Sequence, residues 1–541
     1  MQYDIMLRPE LADHYRASGL WLNKTVYQIL SERAAAHPDR EVFADARTRL
    51  TYGALKDRVE RCAHYLQRIG IGSGDVVTIQ LPNQVEFPIV FFALELIGAV
   101  ANTVSADFRS RELEYILKFS GSRALVCARE FRGFNYFAMA RTLQHGNPAL
   151  THLILTGGAD EGAYDLDAGL AATPPLEPGQ RFAASTEAVF RMAFTSGTTG
   201  NPKCVLHSFN TTLYAVDLLN RDMLVTDADV LLVYLPVGLN WGYICLLQTV
   251  LAGARAVLME RFSARPVLET IQCERVTYIA TAPASIVALL NVADLATFDT
   301  SSLRVVITGG ASAAIETIRG FRQNFTAHLV ELYGMLETGF QSYTRFEDDP
   351  EHVSGTVGRA AGAIQLRIVD ADHRDVAFGE VGELSTLGPS VHLGYLNNAD
   401  ANAQSFTSEG WFRTGDLARY IDRDGNIQIT GRSKEIINRG GKKFFPREVE
   451  EILYTHPKVL HAALVGLPDA RLGERNCLCI VPKDAADIEL DEMISFLKGQ
   501  VADYKLPEVL FRFDELPMTG TGKIQRHVLR DLVLKKQEGE G

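Results

Sequence analysis

Between Glu41 and Thr308, apolar runs of strand length alternate with longer segments of helical spacing. Residues 41–44, 75–81, 124–127, 152–155, 188–194, 230–235, 256–259, 277–280 and 304–308 read as strands. Most are joined by segments with apolar residues at helical spacing; Thr51, for example, caps a helix from Tyr52 to Ile69 that stops at Gly70. Strands and helices in this order build βαβ units, so a mostly parallel sheet is expected. The stretch 157–185 is rich in Gly, Ala, Pro and acidic residues and reads as a surface connection. From Ile364 the strands shorten, and Gly379-Glu-Val-Gly382 and Asp422-Arg-Asp-Gly425 signal turns, as in an antiparallel, barrel-like region. The polar Gly431-Arg-Ser-Lys434 joins it to a last block with helices at 446–456 and 490–501. The main boundary is placed at 432–434, and no internal repeat is found.

A chain of 541 residues exceeds what one hydrophobic core holds, so at least two domains are expected. With 47% hydrophobic and 22% charged residues the composition is that of a globular protein. A net charge of −12 argues against a nucleic-acid or anionic-membrane partner. Seven scattered cysteines without a C-x-x-C pair favour a reduced, cytoplasmic setting, and Cys477 and Cys479 are expected on one face of a strand. The N-terminus has no basic-then-apolar leader. The apolar run 87–104 carries Pro88 and Glu95, so a buried helix followed by a strand is expected rather than a membrane span.

The strand ending at Phe194 empties into Thr195-Ser-Gly-Thr-Thr-Gly-Asn-Pro-Lys203. Glycines let backbone N–H groups converge on an anion, hydroxyls add donors and lysine adds a point charge. No glycine precedes the lysine and no Ser or Thr follows it, so this is not a Walker A loop. Taken alone, the stretch reads as a phosphate cradle or as a solvated turn.

Other stretches decide between them. The loop resembles the phosphate loop of the adenylate-forming superfamily, which includes acyl-CoA synthetases, luciferases and the adenylation domains of nonribosomal peptide synthesis. Gly309-Gly-Ala311, Tyr333-Gly-Met-Leu-Glu337, Tyr395, Gly410-Trp-Phe-Arg-Thr-Gly-Asp416, Gly431-Arg432 and Pro517-Met-Thr-Gly-Thr-Gly-Lys523 resemble its further motifs in the same order. The resemblance covers nearly the whole chain. It implies an α/β fold: an N-terminal domain, 1–431, of two βαβ-type sheet subdomains plus a β-barrel-like subdomain, a hinge at 432–434 with Lys434, and a small mobile α+β C-terminal domain, 435–541. It implies an AMP-forming acid–thiol ligase using ATP, Mg²⁺ and coenzyme A, with an acyl carrier protein as the alternative acceptor.

By the same resemblance, Thr195, Ser196, Gly197, Thr198, Thr199 and Lys203 cradle the ATP phosphates, while Gly310, Ala311, Tyr333 and Gly334 line the adenine side. Asp416 accepts the ribose hydroxyls, Arg432 adds a second ribose or phosphate contact, and Glu337 is the Mg²⁺ ligand. Catalysis falls to Glu337 and to Lys523, which bridges the substrate carboxylate and the α-phosphate. The acyl pocket falls on Asn240, Trp241, Gly310, Met335 and Gly339, with Gly310, Gly334 and Gly339 leaving room for a flat ring. The segment Leu235-Pro-Val-Gly-Leu-Asn-Trp-Gly242 resembles that of dihydroxybenzoate- and salicylate-activating enzymes, so an aryl or cyclic acid is expected. There Asn240 would meet an ortho amino or hydroxyl group; its alternative is to cap the next helix. Arg439, Gly440, Gly441, Lys442 and Lys443 are the expected passage for CoA. Cys204 stands where a glycine is usual, and Leu336 where a threonine commonly touches the α-phosphate. The division of labour predicts that Lys523→Ala slows adenylation by roughly a hundredfold or more, while thioester formation from preformed acyl-adenylate stays near normal. Equal loss in both half-reactions, measured separately, would contradict it.

Overall fold

The computed structural model describes residues 3–195, 202–310, 313, 315–349, 355–432, 435–440, 442–469, 471–483, 486–518 and 524–539. Among these, two large sheets carry the N-terminal domain. A nine-stranded sheet runs in the order Arg359–Ala360, Gly339–Tyr343, His328–Met335, Val305–Gly309, Tyr278–Thr281, Val230–Val233, Arg255–Leu258, Glu41–Ala44, Arg49–Thr51. From His328–Met335 to Glu41–Ala44 the pairing is parallel, and antiparallel strands close both ends. A seven-stranded sheet runs Cys204–Ser208, Val189–Phe194, Val100–Thr103, Val76–Gln80, Ser122–Ala128, His152–Thr156, Tyr164–Asp165. It is parallel apart from its edge strand Cys204–Ser208.

Helices that are apolar on every side find a place only in an interior. Glu86–Ile97 is buried from Phe87 through Ile97, and Asn240–Ala252 from Gly242 through Val250. Both belong to one hydrophobic core shared by the two sheets. Within it Phe91 packs edge-on against Phe92, Phe190 and Tyr243. Each such ring removed from water is worth about 1.5–3 kcal/mol. The run 87–104 is thus a core helix followed by the strand Val100–Thr103. Among the described residues no helix is long and apolar enough to cross a membrane.

The barrel-like region expected from Ile364 is a four-stranded antiparallel sheet, Gln365–Val369, Gly382–Leu387, Phe412–Tyr420 and Ile427–Arg432. The smaller C-terminal unit pairs Lys442–Phe444, Ile437–Arg439, Gly473–Pro482 and Val459–Asp469, with Val509–Arg512 added in parallel to Gly473–Pro482. Cys477 and Cys479 lie buried in one cluster with Leu529 and Val533, as strand alternation requires. The seven cysteines are all free. The stretch read as a surface connection holds more structure than expected. Asp165 caps a helix, Leu166–Ala172, by accepting the Ala168 N–H at 2.9 Å, and Leu166 is buried. The helix expected to reach Val501 stops at Leu497, because Lys498 turns extended.

Parallel strands of an open α/β sheet deliver their chain to a crevice at their carboxyl ends. The segment after Val230–Val233 is held there by Asn83, which is 3% exposed. Its Nδ2 donates to the carbonyls of Val233, Leu235 and Met259 at 3.3, 2.9 and 3.0 Å, and its Oδ1 accepts the Val237 N–H at 2.9 Å. Leaving those groups unpaired in the interior is costly. Asn83→Ala is expected to lose about 2 kcal/mol, read by calorimetry as a thermal midpoint lower by about two degrees. A midpoint within one degree of the parent would contradict the role of Asn83 as the anchor of residues 233–237.

Candidate active site

The strand Val305–Gly309 ends at Gly310, whose φ of +81° suits only glycine comfortably. The neighbouring strand brings Glu331 under this turn, its Oε2 accepting the Ala313 N–H at 3.4 Å. Burial pushes the Glu331 carboxyl up to about 8, with the Arg447 charge pulling the other way. Two residues on, Tyr333 donates its hydroxyl to Asp416 Oδ2 at 2.5 Å. Arg432 Nε donates to Asp416 Oδ1 at 2.8 Å. Asp416 is 4% exposed, and each of its carboxylate oxygens therefore holds one donor from a different sheet. The Asp416 charge raises the Arg432 guanidinium above its ordinary value, and burial followed by Asp416 raises the Tyr333 phenol.

On the phosphate side, Thr195 closes the neck of the expected loop. Its N–H donates to the Lys203 carbonyl at 3.0 Å, and its Oγ1 accepts the Lys203 N–H at 3.1 Å. Lys203 Nζ lies 4.4 Å from the Tyr395 ring centroid, and the Tyr395 hydroxyl donates to Glu337 Oε1 at 3.1 Å. Glu337 is buried, which raises its carboxyl pKa against the charges of Arg432 and Lys203. A single buried carboxylate, one oxygen engaged by a phenol, fits Mg²⁺, which keeps most of its ligands as water and phosphate. Two departures find physical reasons here. Cys204 is buried on the edge strand in a cluster with Phe194, Leu206 and Leu396, where a side chain fills core space. Leu336 packs toward Val205, Tyr395 and Phe412, and its carbonyl accepts His207 Nε2–H at 2.7 Å.

Of the residues expected at the acyl pocket, Asn240 opens the helix Asn240–Ala252, but its side chain caps nothing: the cap position is Leu239. Instead Asn240 Oδ1 accepts Nη1 of Arg191 at 2.9 Å. Trp241 packs on Phe340, ring centroids 6.3 Å apart, beside Gly309. Met335 packs with Leu336 against the cluster of Val205, Val391 and Tyr395. The room expected beside Gly334 and Gly339 is already filled. A Cβ on Gly334 would sit 2.3 Å from the Gly339 carbonyl, and one on Gly339 would sit 2.9 Å from Ala215 Cβ. Both glycines therefore permit close backbone packing and do not clear a slot for a ring.

In the C-terminal unit the basic cluster is partly engaged: Arg439 pairs with Glu508, and Lys442 Nζ lies 5.1 Å from the Tyr504 ring centroid. Gly440 has φ +60°. Ser196, Gly197, Thr198, Thr199, Ala311, Lys434, Gly441, Lys523 and the side chain of Lys443 lie outside the described residues.

Sequence reading missed Arg191 and His207. Arg191 is the one charged residue within the apolar strand 188–194, and that interruption was the signal available. It is 1% exposed, and burial lowers its pKa to about 10. Burial and the Arg191 charge bring His207 down to about 3, so its ring stays neutral.

Glu331 yields a pH dependence. Its folded pKa, about 8, lies above the ordinary 4.5, so folding favours the protonated form. The stabilisation is whole below the lower value and is lost as pH rises to the upper one. Glu331→Gln, which cannot ionise, is expected to raise the thermal midpoint by several degrees at about pH 8 and by less at about pH 5.5. The same shift at both pH values in calorimetry would contradict this.

Comparison with known proteins gives the geometry its family. Residues 30–396 match the AMP-binding enzyme family and residues 448–523 its C-terminal domain. The chain is 34% identical over 533 residues to a 2,3-dihydroxybenzoate-AMP ligase of Bacillus subtilis (strain 168), covering 97% of both. It is 33% identical to a salicylyl-CoA synthase / salicylate adenylyltransferase of Streptomyces sp, covering 98% of this chain and 97% of the relative. The crystal structure of the anthranilate CoA ligase AuaEII with anthranoyl-AMP superposes with a TM-score of 0.87 at 24% identity, covering 96% of this chain and 99% of that one, a likeness of fold. The chain belongs to the AMP-binding enzyme family and is an adenylate-forming ligase.

Proposed function

We propose that this ligase activates an aryl or cyclic carboxylic acid of the benzoate, anthranilate or salicylate type and passes the acyl group to coenzyme A. The observation that carries the reading is the convergence of Lys203, Tyr395 and Glu337 with Tyr333, Asp416 and Arg432 beside the Gly310 turn. The names of the two relatives, a dihydroxybenzoate-AMP ligase and a salicylyl-CoA synthase, support the substrate class.

In the first half-reaction a carboxylate oxygen attacks the α-phosphorus of ATP in line. A P–O bond forms, the bond to the bridging oxygen breaks, and pyrophosphate leaves. Two anions meet, so positioning and positive charge matter more than a general base. Asp416, held by Tyr333 and Arg432, would accept the ribose hydroxyls with its remaining lone pairs. Glu337 would hold Mg²⁺, which supplies charge neutralisation at the phosphates. Lys203 and the loop beginning at Thr195 would keep the departing pyrophosphate, and Lys523 would steady the reacting carboxylate. In the second half-reaction the CoA sulfur attacks the acyl carbonyl carbon, the mixed anhydride breaks and AMP leaves with its proton balance met by the released thiol proton. The C-terminal unit would turn about Lys434 between the two steps, exchanging Lys523 for the segment at Gly440 and Gly441. With Arg439 paired to Glu508, Lys442, beside the Tyr504 ring, would meet the CoA phosphates.

The test is pyrophosphate release over aryl, alicyclic and fatty acids, followed by AMP and thioester analysis with CoA and no carrier protein. Release with an aryl or cyclic acid and formation of its CoA thioester are expected. Adenylate without thioester would replace CoA by a carrier-protein phosphopantetheine, and turnover of fatty acids alone would overturn the substrate class.

A further inference from the structure

A guanidinium has five donors and no acceptor, and it stays charged in folded proteins. Arg191 is such a group in the interior, and among the described residues it makes no ion pair with a carboxylate. Its Nε donates to Thr103 Oγ1 at 3.2 Å, its Nη1 donates to Asn240 Oδ1 at 2.9 Å, and its plane lies 3.9 Å over the Tyr243 ring. Its Nη2 is buried without an acceptor among the described residues, and so is Trp241 Nε1.

This contact settles which way the Asn240 amide faces. Only an oxygen can receive Nη1–H, so Oδ1 points to Arg191 and the NH₂ group is left to face what binds beside the helix start. Asn240 Nδ2 is thereby left as a donor, while Arg191 Nη2 and Trp241 Nε1 stay buried. His207, whose ring feels the Arg191 charge, is kept neutral and gives its Nε2–H to the Leu336 carbonyl.

We propose that Arg191 is a positioning residue that sets acid selectivity: by holding Asn240 as a pure donor, it makes the pocket favour acids whose ortho substituent accepts a hydrogen bond, a hydroxyl or its anion, over acids whose ortho substituent mainly donates, an amino group. The inference rests on the assignment of Asn240 to the acyl pocket of an aryl- or cyclic-acid ligase, and it chooses among the acids named there. An aryl amine puts its hydrogens toward Asn240 Nδ2 and has a lone pair drawn into the ring, so donor meets donor and one group stays unpaired. A phenolic oxygen accepts from Nδ2 even while its own hydrogen turns to the reacting carboxylate.

The experiment is pyrophosphate release by the full-length protein with ATP and Mg²⁺, giving kcat/KM for 2-hydroxybenzoate, 2-aminobenzoate and benzoate. Benzoate, lacking an ortho group, is the reference within each variant. The parent is expected to prefer 2-hydroxy- over 2-aminobenzoate by about tenfold or more. Arg191→Lys keeps a donor-only partner and should retain the preference. Arg191→Met should lose most of it. Asn240→Asp should reverse it, since one carboxylate oxygen pairs with Arg191 and the other accepts from the amine. A general loss of structure would lower all three acids alike and leave the ratios unmoved. Equal or better use of 2-aminobenzoate by the parent overturns the inference, as does an unchanged ratio in Asn240→Asp; these two results decide the matter even where Arg191→Met does not fold. Should none of the three acids be used, the aryl assignment falls separately. The same comparison then runs on 2-hydroxy- and 2-aminocyclohexanecarboxylate, where equal rates overturn the inference as well.

Discussion

The carboxylate of Asp416 is the point on which the site depends. Tyr333 reaches it from the nine-stranded sheet and Arg432 from the antiparallel sheet, at 2.5 and 2.8 Å. A buried charge costs several kcal/mol unless paired and hydrogen-bonded, so the nine-stranded sheet cannot shift against the antiparallel one without taking the Tyr333 donor from Asp416. The Tyr333 bond also fixes where the end of the nine-stranded sheet stands against the strand Phe412–Tyr420. The ribose-binding position proposed for Asp416 is thus a by-product of how two sheets are locked together.

Around that anchor the same economy recurs. Asn83 satisfies two carbonyls and one N–H of the segment leading to Asn240, and the Met259 carbonyl as well. Tyr395 serves Glu337 with its hydroxyl and Lys203 with its ring. Glu331 supports the turn after Gly310 through the Ala313 N–H. Each of these side chains serves the fold as well as the site. Arg191 is charged, buried and stacked on Tyr243, and one of its nitrogens has no acceptor among the described residues.

The architecture was legible wherever periodicity was strong. Alternating strands and helices announced parallel sheets, and the run from Phe87 to Val104 was read as core because Pro88 and Glu95 interrupt it. The helix Leu166–Ala172 was hidden because composition outweighed one good cap, Asp165. At the site, Asp416 and Glu337 could be picked out by their motifs. That Tyr333 pairs with Asp416 could not be read, because the two are 83 residues apart and nothing local requires them to meet.

The linear order of residues by itself determined the family, the two kinds of sheet and the stretches from which the site is built, since those follow from local pattern and motif spacing. Only the tertiary structure decided what the side chains do there. It showed that Gly334 and Gly339 serve close backbone packing and that Cys204 fills core. It also turned Asn240 away from its helix toward Arg191, 49 residues earlier in the chain. The physical reason is that hydrogen-bond direction and burial belong to pairs of groups, and the pairs are made by packing of distant strands rather than by neighbours in sequence.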